Sequence, residues 1–240
     1  MCTVVLLIRP AHAWPLIVAA NRDEMLDRAW DPPAAHWPDQ PAIVAGRDRS
    51  AGGTWMGVNR HGVMAAVLNR PGSLGPATGK RSRGELPLMA LTHDSAAGAA
   101  AALCALDAAT WRSFNLVVAN RDEAWFVRGL GHGPIQRQLL SPGCHMVTAH
   151  DPDDQQSPRV ARHFARFQAT DPEPPKCRSW QTLLADRSGG PGEQINVMPR
   201  GGFGTVCSSV LALPREGPSV WLFAAGSPDH APFQPVDLPA

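Results

Sequence analysis

The chain carries no excess of either charge: 22 basic and 21 acidic residues leave a formal net charge of +1. No segment gathers its lysines and arginines into a basic stripe, so the electrostatic footprint of a nucleic-acid or anionic-membrane partner is missing. Cysteine is sparse. The five copies (Cys2, Cys104, Cys144, Cys177, Cys207) form no CxxC pair, no CxxCH haem-attachment motif and no zinc-ligand spacing. An odd, scattered set of this kind fits a reduced, cytoplasmic environment. The nine histidines include no HExxH, and Cys144-His145 project to opposite faces of a strand, so no metal or other cofactor is expected. Long apolar runs are absent as well. The N-terminal run is only about six residues, lacks a basic flank and stops at Arg9-Pro10, too short for a signal peptide or a membrane span. The cluster Gly201-Gly202-Phe203-Gly204 does not follow a strand as a dinucleotide fingerprint does, which argues against nucleotide binding. Tyrosine is missing too; no function class follows from that.

What is present suits a packed globular protein. Hydrophobic residues make up 44% of 240, enough for a sizeable core, and no composition shift marks a boundary, so a single domain over residues 1–240 is expected. Thr3–Arg9 and Leu16–Ala20 are apolar without alternation, the pattern of strands buried on both faces. Arg28–Pro41, rich in Pro, Trp and Asp, reads as a long connection. Gly53–Asn59 and Gly62–Asn69 flank the turn Arg60-His61-Gly62 and predict a hairpin. Helices are predicted at Glu85–Thr92, at Ser95–Leu106 with Asp94 or Ser95 as cap, at Pro158–Phe167 after Ser157, and across Gln181–Asp186. Further strands are predicted at Phe114–Ala119, Ala124–Arg128, His145–Ala149, Gly204–Leu213 and Val220–Ala225, before a Pro-rich tail. Antiparallel strand pairs interrupted by helical blocks make an α+β layout. The segment Ala20-Asn21-Arg22-Asp23-Glu24 recurs as Ala119-Asn120-Arg121-Asp122-Glu123, and the second copy reads as a turn.

The residue that carries chemistry is Cys2. A small residue after Met1 permits removal of that methionine, which leaves a thiol nucleophile and a free α-amine on one residue. That amine, with an ordinary pKa of roughly 7.7–8.0, can serve as the base for its own side chain. Read from position alone, Cys2 is either such a nucleophile or the buried start of a strand. Arg22 and Asp23 are likewise either its neighbours or a strand-end ion pair.

In order along the chain stand Cys2, Asn21-Arg22-Asp23-Glu24, Gly52-Gly53-Thr54-Trp55, Arg83-Gly84-Glu85 and Phe114-Asn115-Leu116. Together they resemble the NRDE family, also called the Transport and Golgi organization protein 2 family. The resemblance implies a fold related to the N-terminal-nucleophile (Ntn) hydrolases, a four-layer αββα sandwich with two antiparallel sheets. Gly57-x-Asn59-x-x-Gly62 followed by Leu68-Asn69-Arg70-Pro71-Gly72 is similar, more distantly, to a segment of the choloylglycine hydrolases and penicillin V acylases, which begin with a processed cysteine. That likeness implies Cys2, Arg22, Asp23 and Asn69 as the catalytic set. Arg22 would favour the thiolate, Asp23 would orient the α-amine, and Asn69 would donate to the oxyanion. Asn21, Trp55, Arg83 and His150 are the expected substrate contacts. Two departures stand out. Thr148-Ala149-His150-Asp151-Pro152 replaces a Thr-Asn-Asn type turn, where His150 either substitutes as a donor or is a surface residue. Val206 stands where an arginine is expected.

Two functions follow. One is a cysteine amidohydrolase acting on linear non-peptide amides or related acyl compounds. The other is a binding or trafficking protein that uses the same fold for a hydrophobic ligand, haem or an acyl-CoA or lipid.

Overall fold

The computed structural model describes residues 2–238. They fall into two compact units, one formed by the chain up to Arg28 together with Pro142–Asp237, the other by Ala29–Ser141. The second unit is thus inserted in sequence between two strands of the first.

The first unit is built on β1 (Thr3–Ile8) and β2 (Leu16–Met25), joined later in the chain by β10 (Gly143–Val147), β11 (Phe203–Leu213), β12 (Val220–Ala224) and β13 (Phe233–Pro235). They form one sheet in the order β10-β1-β2-β11-β12-β13. All pairings are antiparallel. Two helices cover one face, α3 (Pro158–Gln168) and α4 (Arg178–Leu184). Val160 and Phe167 of α3 and Trp180, Leu183 and Leu184 of α4 pack on Val5, Ile17, Ala19, Val210 and Ala212 of the sheet. The opposite face carries Val4, Leu6, Val18 and Leu211, which are equally buried; this is why β1 and β2 read as continuous apolar runs. Ser157 caps α3, its side chain accepting from Val160 N–H, and Pro158 occupies the first turn, where its missing N–H costs nothing.

The second unit is a seven-stranded antiparallel meander. Its strands are β3 (Trp30–Ala34), β4 (Ile43–Asp48), β5 (Met56–Asn59), β6 (Met64–Asn69), β7 (Phe114–Ala119), β8 (Ala124–Gly129) and β9 (Gln136–Leu139), in sequence order across the sheet. Helices α1 (Glu85–Ala90) and α2 (Ala96–Cys104) bring Leu86, Ala90, Ala99 and Leu103 onto Ile43, Ala65, Leu116 and Val118. Ser95 caps α2 by accepting from Gly98 N–H.

The layout is α+β with two antiparallel sheets, as the sequence predicts. Several elements differ. The expected connection Arg28–Pro41 holds the strand β3, with Pro32 and Pro33 inside it. Its pairing to β4 is irregular between Asp31 and Ala34 and it lies at the sheet edge, where a missing N–H is tolerated. Strands β4 and β9 were not predicted, and β13 lies in the expected tail. The second Asn-Arg-Asp-Glu copy is the β7–β8 turn. Asn120 Oδ1 accepts from Asp122 N–H at 2.9 Å and from Glu123 N–H at 3.0 Å. The first copy, by contrast, is strand. Among the described residues no helix is long and apolar enough to cross a membrane.

Candidate active site at the start of the first strand

Cross-strand register organises the residues around Cys2. Thr3 of β1 stands opposite Asn21 of β2, and Asn21 opposite Ser208 of β11. These three share a face, and Asp23, two residues beyond Asn21, shares it too. This is the face that α3 and α4 cover. Arg22 pairs with Cys207 and projects to the other side. Alternation puts Cys2 on the Arg22 side as well. A bulge at Val206 separates Thr205, opposite Asp23, from Cys207, opposite Arg22. Without the extra residue, Thr205 and Cys207 would face the same way.

The Cys2 thiol donates to the backbone carbonyl of Asp23 across 3.8 Å. The carboxylate of the same residue is turned to the helical side and wholly buried. Its Oδ2 accepts from Arg159 Nη1 at 2.9 Å and its Oδ1 from Thr205 Oγ1 at 2.7 Å. The same Arg159 nitrogen donates to Thr3 Oγ1 at 2.7 Å, and Thr205 Oγ1 accepts from Val197 N–H at 2.8 Å. Buried charges of this kind persist only when paired and hydrogen-bonded, and both carboxylate oxygens of Asp23 accept such a bond.

Burial pushes the Cys2 thiol above its ordinary pKa. The Asp23 charge adds to the rise, and the Arg22 guanidinium opposes it. Burial also pushes Cys144, Cys177 and Cys207 up to about 12. At neutral pH, then, Cys2 is a thiol, and a nucleophile forms there only if a base takes its proton.

The other predicted residues are placed as follows. Asn21 is buried. Its amide donates to Leu184 O and to Ile195 O, both at 2.9 Å, and accepts from Ser208 Oγ. Both of its N–H donors are therefore engaged by backbone carbonyls that dock the α4 end on the sheet. His150 is partly buried; its Nδ1 lies 3.4 Å from Asp154 Oδ2. The register Val4↔Val147 puts its turn at the Cys2 end of β1. Asn69, Trp55 and Arg83 belong to the second unit. Asn69 closes β6, and its Nδ2 donates to Arg70 O at 3.3 Å. Trp55 meets Trp30 edge-on at 5.8 Å. Arg83 Nη1 donates to Ser73 O at 2.6 Å, Ser73 Oγ at 2.8 Å and Ser113 O at 3.1 Å. The two glycine-bearing motifs meet there: Thr54 N–H donates to Gly84 O at 2.9 Å. No cluster of three or more His, Cys, Asp or Glu suited to a metal ion occurs among the described residues.

Sequence reasoning missed Arg159 and Thr205. A signal for Arg159 exists: Arg159, His163 and Phe167 recur every four residues on the buried side of α3, so an arginine stands in an apolar stripe. Thr205 is found only through the bulge.

The pattern of the family described as Transport and Golgi organisation 2 matches residues 1–223. Over 118 residues the chain is 33% identical to the human Transport and Golgi organization protein 2 homolog, covering 47% of this chain and 41% of the relative. Over 114 residues it is 32% identical to the Bos taurus homolog, covering 45% and 40%. The matched region spans about two fifths of the length of these curated relatives. Among solved structures, the Caenorhabditis elegans ortholog of N-acylethanolamine-hydrolyzing acid amidase superposes with a TM-score of 0.64 at 12% identity, over 89% of this chain and 94% of that one. A mutant conjugated bile acid hydrolase from Clostridium perfringens gives 0.57 at 10%, over 100% and 97%. Penicillin V acylase from Agrobacterium tumefaciens gives 0.52 at 14%, over 93% and 83%. The fold is that of the Ntn hydrolases.

Proposed function

The chain belongs to the Transport and Golgi organisation 2 family, and we propose that it hydrolyses linear non-peptide amides or related acyl compounds through Cys2 after loss of Met1. The observation that carries this reading is the setting of the Cys2 thiol. It touches the Asp23 carbonyl at the end of the second strand, Arg22 shares its face, and a fully satisfied buried carboxylate lies behind it. The fold shared with amide-cleaving enzymes supports the same chemistry.

The steps follow from the residues. With Met1 gone, the Cys2 α-amine takes the thiol proton as the sulfur attacks the substrate carbonyl, forming a C–S bond and a tetrahedral oxyanion. The resulting ammonium returns its proton to the leaving nitrogen as the C–N bond breaks, which leaves a thioester. Water, deprotonated by the amine, then cleaves the thioester and restores the thiol. A thiol whose pKa is raised suits this sequence, because charge appears on sulfur only during attack. Arg22 supplies positive charge on the face where it appears.

The test is the intact mass of the purified chain before and after a β-lactone below one equivalent, with peptide mapping of the adduct. Loss of Met1 with selective acylation of Cys2 over the other four cysteines supports the reading. Retained Met1, or labelling no faster than in denatured chain, overturns it.

The binding alternative has one observation of its own. A cavity of about 350 Å³ opens between α1 and α2 over Leu88, Met89, Leu103 and Leu106, with Arg81 and His93 among the lining residues; pockets of roughly 300 Å³ and more hold small ligands. Binding of an acyl-chain probe that survives Cys2→Ala and fails in Leu103→Arg would place a ligand role there.

A further inference from the structure

We propose that Arg159 is a positioning residue for the Cys2 site, holding the start of β1 and the end of β2 in register from the helical side. One guanidinium nitrogen does this. Nη1 donates both to Thr3 Oγ1 and to Asp23 Oδ2. Thr3 is the residue after the nucleophile. Asp23 supplies, through its backbone carbonyl, the atom the Cys2 thiol touches. The side chain of Asp23 is thus fixed on one face of β2, and its carbonyl on that account is fixed for a thiol on the other. Arg159 reaches this point from the first turn of α3, with only 4% of its side chain exposed. Since Thr205 Oγ1 engages Oδ1, the carboxylate cannot turn without breaking a second bond.

The same contact has an electrostatic consequence. The charged groups that act on the thiol are the positive chain terminus, then Asp23 and Arg22 of β2, and Cys207 of β11 lies beside it. Arg159 neutralises Asp23, the one of these that disfavours a thiolate. Removing the guanidinium frees that negative charge and lets β1 shift against β2. Both effects slow Cys2.

This role rests on the hydrolase reading only for turnover; the reactivity of the thiol is measured without it. The experiment is the rate of iodoacetamide alkylation of Cys2 in the full chain, resolved by peptide mass, from about pH 6 to pH 10. Wild type is compared with Arg159→Met, Arg159→Lys and the pair Arg159→Met/Asp23→Asn. The Cys2 rate at each pH is expected to fall about tenfold in Arg159→Met, the equivalent of a one-unit rise in its pKa, with the other four cysteines unmoved. Arg159→Lys, which keeps the charge, returns it most of the way, and Asp23→Asn in the Met background removes the fall. Should Arg159→Met fail to fold, Arg159→Gln, with an N–H donor and no charge, takes its place. An unshifted Cys2 profile in a folded variant overturns the proposal, as does an equal shift at all five cysteines. A wild-type chain with an Arg159-dependent profile but no β-lactone adduct keeps this role and removes the hydrolase reading.

Discussion

Asn21 and Ser208 stand opposite each other across β2 and β11, and the Ser208 hydroxyl donates to Asn21 Oδ1 at 2.5 Å. That bond orients the amide so that both of its hydrogens meet the carbonyls of Leu184 and Ile195. Replacing Asn21 by Ala leaves two buried acceptors without donors, at about 1–3 kcal/mol each. Asn21→Ala is therefore expected to lower the urea-unfolding free energy by roughly 3 kcal/mol, and Ser208→Ala by about 1 kcal/mol. A loss below half a kcal/mol for Asn21→Ala would mean that the amide does not bear on docking.

Gly53 has no room for a side chain. A Cβ there would lie 2.5 Å from the carbonyl carbon and 2.6 Å from the carbonyl oxygen of Gly84, backbone atoms that cannot swing aside. Gly53→Ala is expected to destabilise the chain by roughly 1–3 kcal/mol through overpacking. Gly52→Ala meets nothing within 4 Å, but its φ of +74° costs an L-residue about 1–2 kcal/mol. Thermal melts of Gly52→Ala and Gly53→Ala check both losses, and D-alanine placed at Gly52 by semisynthesis is expected to restore the melting temperature, because a positive φ suits a D-residue.

His163 is buried, and its burial holds its pKa below the ordinary 6.5. Nε2 donates to Glu193 O at 2.9 Å and Nδ1 accepts from Arg166 Nη1 at 3.2 Å, the pattern of a neutral ring. The unfolded chain binds this proton more readily than the folded one. Stability is thus full above the unfolded value of 6.5 and declines as pH falls below it towards the folded value. His163→Gln is expected to flatten that decline. Unfolding free energies measured by urea titration across this range decide it; an unchanged slope assigns the decline to other groups.

Arg22 shares its face with Cys2 and lowers the cost of a thiolate there. Arg22→Leu is expected to slow Cys2 alkylation at fixed pH by up to about tenfold, one pKa unit of lost stabilisation. Cys104, far along the chain in α2, serves as the internal reference. Equal rates in variant and wild type would show that Arg22 serves packing alone.

The strands with continuous apolar runs were legible because burial on both faces leaves no other pattern, and the caps Ser95 and Ser157 because their side chains satisfy local N–H groups. The Arg60-His61-Gly62 turn was legible through Gly62, whose φ is +75°. Strand β3 was not: Pro32 and Pro33 signal a loop unless an edge position is known in advance. Strand β9 has four exposed residues and no apolar face to read. At the site, Cys2, Arg22 and Asp23 stood out by order along the chain. That Thr205 faces Asp23 depended on a bulge at Val206, and bulges leave no mark in composition. Arg159 and Thr205 lie 136 and 182 residues from Asp23.

The order of the chain sets the order of assembly. Neighbouring strands of the inserted meander are also neighbours in sequence, so that sheet closes locally and early. Strand β2 must wait for β11, and Thr3 must wait for Arg159, 156 residues downstream. During synthesis from the N-terminus, Cys2 and Thr3 meet β2 soon after they emerge, but long before Arg159 and β11 exist. The strand that follows Cys2 is thus locked last, by groups that arrive from the far end of the chain.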